Sequence, residues 1–103
     1  MVHVIATIEL NPGVRRRFLE EFARIAPLVR AEEGCLEYGP AVDLPTGLAA
    51  QPPLRDDVVV VVEKWRDLPA LEAHLAAPHM TDYRTRVKSL VVATTLHVLA
   101  PAL

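Results

Sequence analysis

The sequence has a single cysteine and no long apolar segment, and both features narrow the class of protein. Because Cys35 has no partner, the chain cannot form an internal disulfide, and one thiol is typical of a reducing cytosol. No apolar stretch approaches the roughly 20 residues that span a bilayer. Residues 1–5 lack a basic leader and a cleavage site. We therefore expect a cytoplasmic protein with no membrane partner.

The sequence also lacks an excess of positive charge. Lys and Arg total 11 against 13 Asp and Glu, which gives a net charge of -2 at pH 7. The one basic cluster, Arg15-Arg16-Arg17, is followed at once by Glu20 and Glu21, a pattern typical of a solvated helix face. Because nucleic-acid-binding surfaces are basic, we expect no nucleic-acid partner.

The chain is short but rich in apolar residues. Its 103 residues predict one domain, 1–103, and 51% of them are hydrophobic. A domain of this size cannot bury that much apolar surface by itself. Part of this surface is therefore expected to contact a partner.

Periodicity in the first half predicts a strand, a helix and a second strand. Apolar residues alternate over Val2–Leu10, and from Val14 to Val29 they recur at spacings of three and four. Pro27 predicts a kink or an early end of this helix near Ala26, and Gly34 a stop. Strand two is predicted over Cys35–Leu44, with Pro40 indicating an edge or a bulge. Residues 45–54, with three prolines and one glycine, predict a long loop.

The second half predicts a β-branched strand, two helical segments and a last strand. Val58–Trp65 is the third strand, and Asp67 can cap a helix whose core stripe is Leu68, Leu71 and Leu75. Pro78 predicts a break before a further segment over 79–90, and Val91–Leu99 the fourth strand. The order β-α-β-β-α-β predicts an α+β, ferredoxin-like domain with one four-stranded antiparallel sheet and its helices on one side.

Val58–Val62 and Val91–Leu99, in the third and fourth strands, are largely apolar on both faces, although helices on one side can cover only one face of the sheet. A monomer would expose a larger apolar patch than soluble monomers usually do. We expect two copies to pair their sheets in a homodimer, a dimeric α/β barrel. The alternative is that residues 44–54 or the C-terminal residues 100–103 fold over the sheet.

Two segments resemble a known family. Residues 31–38, Ala-Glu-Glu-Gly-Cys-Leu-Glu-Tyr, are similar to the acidic-Gly-Cys-x-x-Tyr segment between helix one and strand two of antibiotic-biosynthesis monooxygenases. Residues 63–67 and 70–80 resemble the end of strand three and the second helix of that family, and the Pro12-Gly13 turn also fits. The resemblance implies homodimers of ferredoxin-like subunits. The long segment 44–54 departs from the family pattern.

The resemblance implies a monooxygenase that needs no cofactor and acts on a small phenolic or quinol-like substrate. The alternative is a non-catalytic dimeric module of the same fold that binds a small molecule or serves a stress response. Haem-degrading relatives use an Asn on the first strand, and Val2–Leu10 contains none. The four histidines and one cysteine form no HxH or CxxC pair, so we expect no metal site.

A cofactor-independent oxygenase needs an apolar pocket with a base and a few hydrogen-bond donors. His74 is the preferred catalytic base because it lies at the border of the helix stripe, where a histidine can titrate near neutral pH. The alternative is a structural role, in which His74 lies at the helix end and forms a hydrogen bond with a local backbone carbonyl. The residues predicted to bind substrate are Tyr38, Trp65, His79, Tyr83 and His97.

Each of these residues also has a structural alternative. Trp65 can be a core or interface anchor, and His79 with Tyr83 can be a half-exposed pair on a short helix. Tyr38 and His97 lie on strands where a dimer contact is also expected. Glu63, flanked by valines, needs a partner, which we expect to be Lys64 of another chain or an Arg, and without one its pKa would rise.

Overall fold

The computed structural model describes all residues, 1–103. Its elements follow the chain as four strands and three helices: β1 (Val2–Leu10), α1 (Arg15–Arg30), β2 (Cys35–Ala41), β3 (Val58–Trp65), α2 (Leu68–Ala76), α3 (Pro78–Val87) and β4 (Val91–Leu99). The strands form one antiparallel sheet in the order β2-β3-β1-β4. The predicted ferredoxin-like fold is confirmed, with the second helical unit split in two at Pro78.

The helices cover one face of the sheet. Val4, Ala6 and Ile8 of β1 point to this face and lie opposite Glu63, Val61 and Val59 of β3, so neighbouring strands contribute buried rows. The core forms where these rows meet Phe18, Phe22, Ile25 and Val29 of α1. The alternation in β1 and the apolar stripe of α1 therefore place the core as the sequence predicted.

Helix α1 does not end near Ala26 as predicted. It continues through Pro27 to Arg30, and the Ala31 amide donates to the Pro27 carbonyl at 3.2 Å. Pro27 removes one backbone donor on the exposed side, while Ala26 and Val29 stay buried against the sheet. Burial of this face holds the last turn despite the missing hydrogen bond.

The buried face of α2 differs from the predicted stripe. Asp67 caps the helix by accepting from the Ala70 amide at 2.9 Å, as expected. Leu68 and Leu75 are exposed, however, and the buried residues are Ala70, Leu71 and His74. The close approach of the α1–β2 turn explains this rotation: a Cβ on Gly34 would lie 2.6 Å from the Cβ of Ala70. His74 consequently lies in the interior rather than at the border.

Strand β2 is an edge strand, as Pro40 indicated, and it ends at Ala41 rather than at Leu44. A bulge lies between Cys35 and Glu37, so Leu36 turns outward while Tyr38 stays on the helix face opposite Glu63. Residues 42–57 form the predicted long connection, and Asp43 pairs with Arg55 across it at 2.9 Å.

The second face of the sheet has no cover within the chain. Val62 and Leu99 are 38% and 47% exposed there. Leu48 of the long connection and Leu103 at the C-terminus are themselves highly exposed. The alternative in which either segment folds over the sheet is therefore wrong. No helix of this fold combines the length and the apolar character needed to cross a membrane.

Candidate functional site

A cavity of about 420 Å³ lies between the sheet and the helices, and most of the residues lining it are hydrophobic. This volume is within the usual range for small-molecule sites, roughly 300–1,000 Å³. Every strand and helix contributes. The lining consists of Ala6, Ile8, Phe18, Phe22, Tyr38, Val61, Glu63, His74, Leu75, Met80, Tyr83, Arg84, Val87, Lys88, Val91, Thr94 and Leu96.

Exposure separates the interior of the cavity from its mouth. The residues of β1, α1, β2 and β3 that line it are all buried, and so are His74, Met80 and Val87. The exposed lining residues are Leu75, Arg84, Lys88, Thr94 and Leu96. The cavity therefore opens between the ends of the helices and the edge strand β4.

His74 is held in the cavity wall by a carboxylate. Its side chain is 2% exposed, and its Nδ1 lies 2.9 Å from Oε2 of Glu32 in the α1–β2 turn. Because a carboxylate accepts the Nδ1 proton, the neutral imidazole presents a bare Nε2, which has no hydrogen-bond partner within the chain. Burial lowers the pKa of His74, although the hydrogen bond and charge of Glu32 act in the opposite direction.

Glu32 also binds a second histidine. The same Oε2 atom lies 2.8 Å from Nε2 of His79, at the start of α3, whose side chain is 27% exposed. His79 does not line the cavity. One carboxylate thus joins the α1–β2 turn to both α2 and α3. The structure has no group of three or more His, Cys, Asp or Glu side chains arranged to hold a metal ion.

Aromatic rings fix the orientation of the His74 imidazole. Trp65 is fully buried and its ring centroid lies 4.6 Å from that of His74, with the planes tilted by 31°. Tyr38 meets His74 edge-on at 5.5 Å. Trp65 is absent from the cavity lining, so it contacts the imidazole from behind. Packing on both sides leaves the imidazole little freedom to rotate.

Glu63 is a buried acid in the same wall. It is 6% exposed, and its Oε1 accepts the indole proton of Trp65 at 2.9 Å. Burial raises the pKa of Glu63 to about 7, an effect that the Trp65 hydrogen bond opposes and the charge of Glu32 reinforces. No cation of the chain pairs with Glu63, since its own Lys64 points to the other face and pairs with Glu37, and the pKa rises as expected for an unpaired carboxyl.

Two tyrosines, Tyr38 and Tyr83, add hydroxyl groups to the lining. Tyr38 stacks on Phe22 at 5.2 Å, and Tyr83 meets Phe18 and Phe22 edge-on. Burial raises the pKa of both Tyr38 and Tyr83 well above the usual range for a phenol. Both hydroxyls therefore stay protonated and can donate a hydrogen bond to a ligand.

The structure brings three of the six predicted site residues into this cavity, namely His74, Tyr38 and Tyr83. Trp65 and His79 lie behind it, in contact with His74 and Glu32 respectively. His97 is not part of the group. It lies opposite Ile5 on the uncovered face of the sheet, because side chains alternate along β4 and Leu96 occupies the helix side.

Glu32 is the residue that sequence reasoning did not identify. It is separated from His74 by 42 positions, and no local pattern predicts a contact over that distance. The available signal was the acidic pair Glu32-Glu33 before Gly34, which the family resemblance singled out as a segment. Only the fold distinguishes them: Glu32 turns inward to the histidines, whereas Glu33 is exposed beside Arg66.

Comparison with known proteins agrees with this architecture. The family model described as antibiotic biosynthesis monooxygenase matches residues 1–86. The chain is 40% identical over the full length of both proteins to an Escherichia coli protein named "Probable quinol monooxygenase YgiN". Two solved structures share the fold. The one from Pseudomonas aeruginosa is 25% identical with a TM-score of 0.80, covering 99% of this chain and 94% of the other. The one from Mycobacterium tuberculosis is 29% identical with a TM-score of 0.77, covering 97% of this chain and 93% of the other. The chain belongs to the antibiotic biosynthesis monooxygenase family.

Proposed function

We propose that the protein is a cofactor-independent monooxygenase that oxidises a small hydroquinone in the cavity described above. The observation that carries the proposal is the buried His74 imidazole, aimed at an apolar cavity and held by Glu32. A relative sharing 40% identity over the whole chain is named a probable quinol monooxygenase, which supports the same substrate class. Because the single Cys35 suits a reducing compartment, we place the activity in the cytoplasm.

His74 is proposed to act as the general base. A bare Nε2 can take the proton of a phenolic hydroxyl, while Glu32 stabilises the imidazolium that results. The phenolate is a far better electron donor to O₂ than the neutral phenol. The tyrosine hydroxyls of the lining are proposed to donate hydrogen bonds to the substrate oxygens, and the apolar walls to keep water from the oxygenated intermediate.

The reaction balances without a further reductant. One hydroquinone and one O₂ give one hydroxyquinone and one water. The substrate supplies all the electrons that O₂ accepts, and one oxygen atom ends on a ring carbon while the other leaves as water. The proton that His74 removes returns to the departing oxygen, so the base is regenerated. Glu63, with a pKa of about 7, can serve as a second proton donor in the same wall.

A non-catalytic binding module of the same fold is the alternative. Such a module needs the cavity but has no need for a base of fixed tautomer. The shared Glu32 oxygen fixes the tautomer of His74 and links it to His79, at 2.9 and 2.8 Å. This arrangement favours the enzyme.

Oxygen consumption tests the proposal. With hydroquinones in chelator-treated, metal-free buffer, we expect enzyme-dependent uptake of one O₂ per hydroquinone and a hydroxyquinone as product. The background rate is measured with boiled protein, because hydroquinones oxidise spontaneously. If the protein binds hydroquinones but leaves oxygen uptake at that background, it is a binding module.

The protein is further proposed to be a homodimer in which two sheets pair through their uncovered faces. This face carries Val60, Val62 and Leu99 with Ile5 and Thr7, and no segment of the chain covers it. A second copy supplies a matching apolar surface by symmetry. Such an interface buries on the order of 2,000 Å² in total.

A charge on this face is expected to separate the subunits. Val62→Lys places an ammonium group where two sheets would meet, so sedimentation at micromolar concentration should show a dimer for the parent and a monomer or unfolded chain for the variant. The control is Leu28→Lys, which changes a residue of α1 that is 53% exposed and away from this face. A parent that sediments as a folded monomer would contradict the pairing.

A further inference from the structure

The charged residues that line the cavity are separated along its depth. Glu63 is the buried charged group at the sheet, and the mouth carries two cations, Arg84 at the outer side of α3 and Lys88 just after it. No acidic side chain lines the mouth. A ligand entering the cavity therefore passes from a positive rim to an apolar interior that ends in a carboxyl group.

Neither cation at the mouth has an acidic partner within the chain. The other lysine, Lys64, pairs with Glu37, and Arg86, two residues from Arg84, pairs with Asp82 at 2.8 Å. No carboxylate lies within ion-pair distance of Arg84 or Lys88. Their charges are available to a ligand.

A hydrogen bond to the backbone of α2 fixes the position of the Arg84 side chain. Its Nη2 donates to the Leu75 carbonyl, in the last turn of α2, at 2.7 Å. The guanidinium makes no other hydrogen bond within the chain, so its remaining N–H donors are free. Tethering also reduces the side-chain entropy that binding would cost. Arg84 is thus held at the mouth of the cavity, and its remaining guanidinium N–H groups are available to a ligand.

We propose, on the basis of the hydroquinone oxidation proposed above, that the preferred substrate is a hydroquinone bearing an anionic substituent such as a carboxylate. Arg84 and Lys88 bind that substituent at the mouth of the cavity. The dihydroxy ring lies inside, where His74 and the tyrosine hydroxyls meet it. Binding in the opposite direction would place the anion beside Glu63 in an apolar wall, which costs free energy.

A matched pair of ligands tests this orientation. One is a hydroquinone bearing a carboxymethyl group, and the other is the corresponding primary amide, which has nearly the same size and no charge. The methylene group insulates the ring, so the two hydroquinones are nearly equal in their ease of oxidation. Binding is measured by calorimetry without oxygen, and turnover by oxygen uptake in a separate assay.

The parent is expected to bind the acid about tenfold more tightly than the amide, with a smaller difference at high salt. Lys88→Gln should reduce this ratio, and Arg84→Gln combined with Lys88→Gln should bring it close to one. Arg86→Gln is the control that should keep the ratio, because Arg86 lies outside the cavity lining and is already paired. The separate Lys88 variant guards against a folding defect caused by loss of the Arg84–Leu75 hydrogen bond.

The outcomes separate this inference from the function on which it rests. Equal binding of acid and amide by the parent overturns the anionic substrate, even if both are oxidised. A preference that survives in the double variant overturns the assignment to Arg84 and Lys88. Tighter binding of the acid without any oxygen uptake supports the charged mouth and contradicts the monooxygenase.

Discussion

Replacing His74 by glutamine is expected to lower kcat for hydroquinone oxidation by about a hundredfold or more, the usual range for loss of a general base. Glutamine fills similar space beside Trp65 and Tyr38 but cannot take up the phenolic proton. KM should change little, because His74 is proposed to act on the proton rather than to supply most of the binding. The measurement is steady-state oxygen uptake, with thermal unfolding of the variant as the check on folding.

The pH dependence of the parent provides a second readout of the same residue. Burial lowers the pKa of His74, so the neutral base persists at pH values below about 6.5, where an ordinary histidine is already protonated. The acid-side fall in activity should therefore lie below that value. A His74→Gln variant that retains the rate of the parent within a few fold would remove His74 from the mechanism.

Replacing Glu32 by glutamine is expected to lower kcat, whereas the same change at its neighbour Glu33 is not. Glu32→Gln keeps the size of the side chain but removes the charge that stabilises the imidazolium, and we expect about a tenfold to hundredfold loss of kcat, as for other residues that orient a functional histidine. Glu33→Gln is the matched control, since Glu33 is exposed and contacts only Arg66, at 3.5 Å. Equal losses in the two variants would contradict the specific role of Glu32.

Replacing Glu63 by glutamine is expected to stabilise the protein at alkaline pH. The pKa of Glu63 is about 7 in the folded chain against 4.5 for the ordinary side chain, because burial disfavours the carboxylate. Below pH 4.5 the acid is neutral in both states and folding carries no penalty. As pH rises from 4.5 to about 7, the side chain ionises in the unfolded chain but not in the folded one, which comes to favour the unfolded chain by about 3 kcal/mol, from 1.36 kcal/mol for each unit of pKa.

Glutamine removes this penalty while its carbonyl can still accept the Trp65 indole proton. The free energy of unfolding of Glu63→Gln should therefore exceed that of the parent by about 3 kcal/mol at pH 8 and match it near pH 4. Urea denaturation at both pH values measures the difference. Glu37→Gln, on the exposed side of the sheet beside Lys64, is the control and should stay within about 0.5 kcal/mol. An increase in the free energy of unfolding that is the same at both pH values would show that burial of the Glu63 carboxylate does not destabilise the fold.

A gain in stability at the expense of activity would also be informative. A buried acid that weakens the fold at neutral pH persists in many enzymes because the reaction needs a proton donor of matched pKa. If Glu63 serves in this way, the stabilised variant should oxidise hydroquinones more slowly than the parent. Measuring both the stability and the oxidation rate of Glu63→Gln thus tests whether the acid that destabilises the fold is also the one that the reaction uses.

The sequence predicted the fold well wherever the signal was local. Alternation in Val2–Leu10, the β-branched third strand and the break at Pro78 all appear in the structure. The prediction was wrong where tertiary contacts outweigh local preference. Helix α1 passes through Pro27 because its apolar face remains packed, and α2 turns His74 inward because Ala70 must pass close to Gly34.

The candidate site was predictable only in part for the same physical reason. A histidine in a short helix and a tyrosine in a strand can be selected by residue type, but the pairing of Glu32 with His74 depends on how the α1–β2 turn meets α2. The inward or outward direction of β4 residues also depends on strand register. Leu96 was not distinguishable from His97 until that register was known.

A crystal structure with a hydroquinone bound in the absence of oxygen tests the central claim most directly. We expect a dihydroxy ring in the cavity between sheet and helices, with one phenolic oxygen about 3 Å from Nε2 of His74. A ring bound elsewhere, or one whose hydroxyls contact neither His74 nor a tyrosine of the lining, would contradict it.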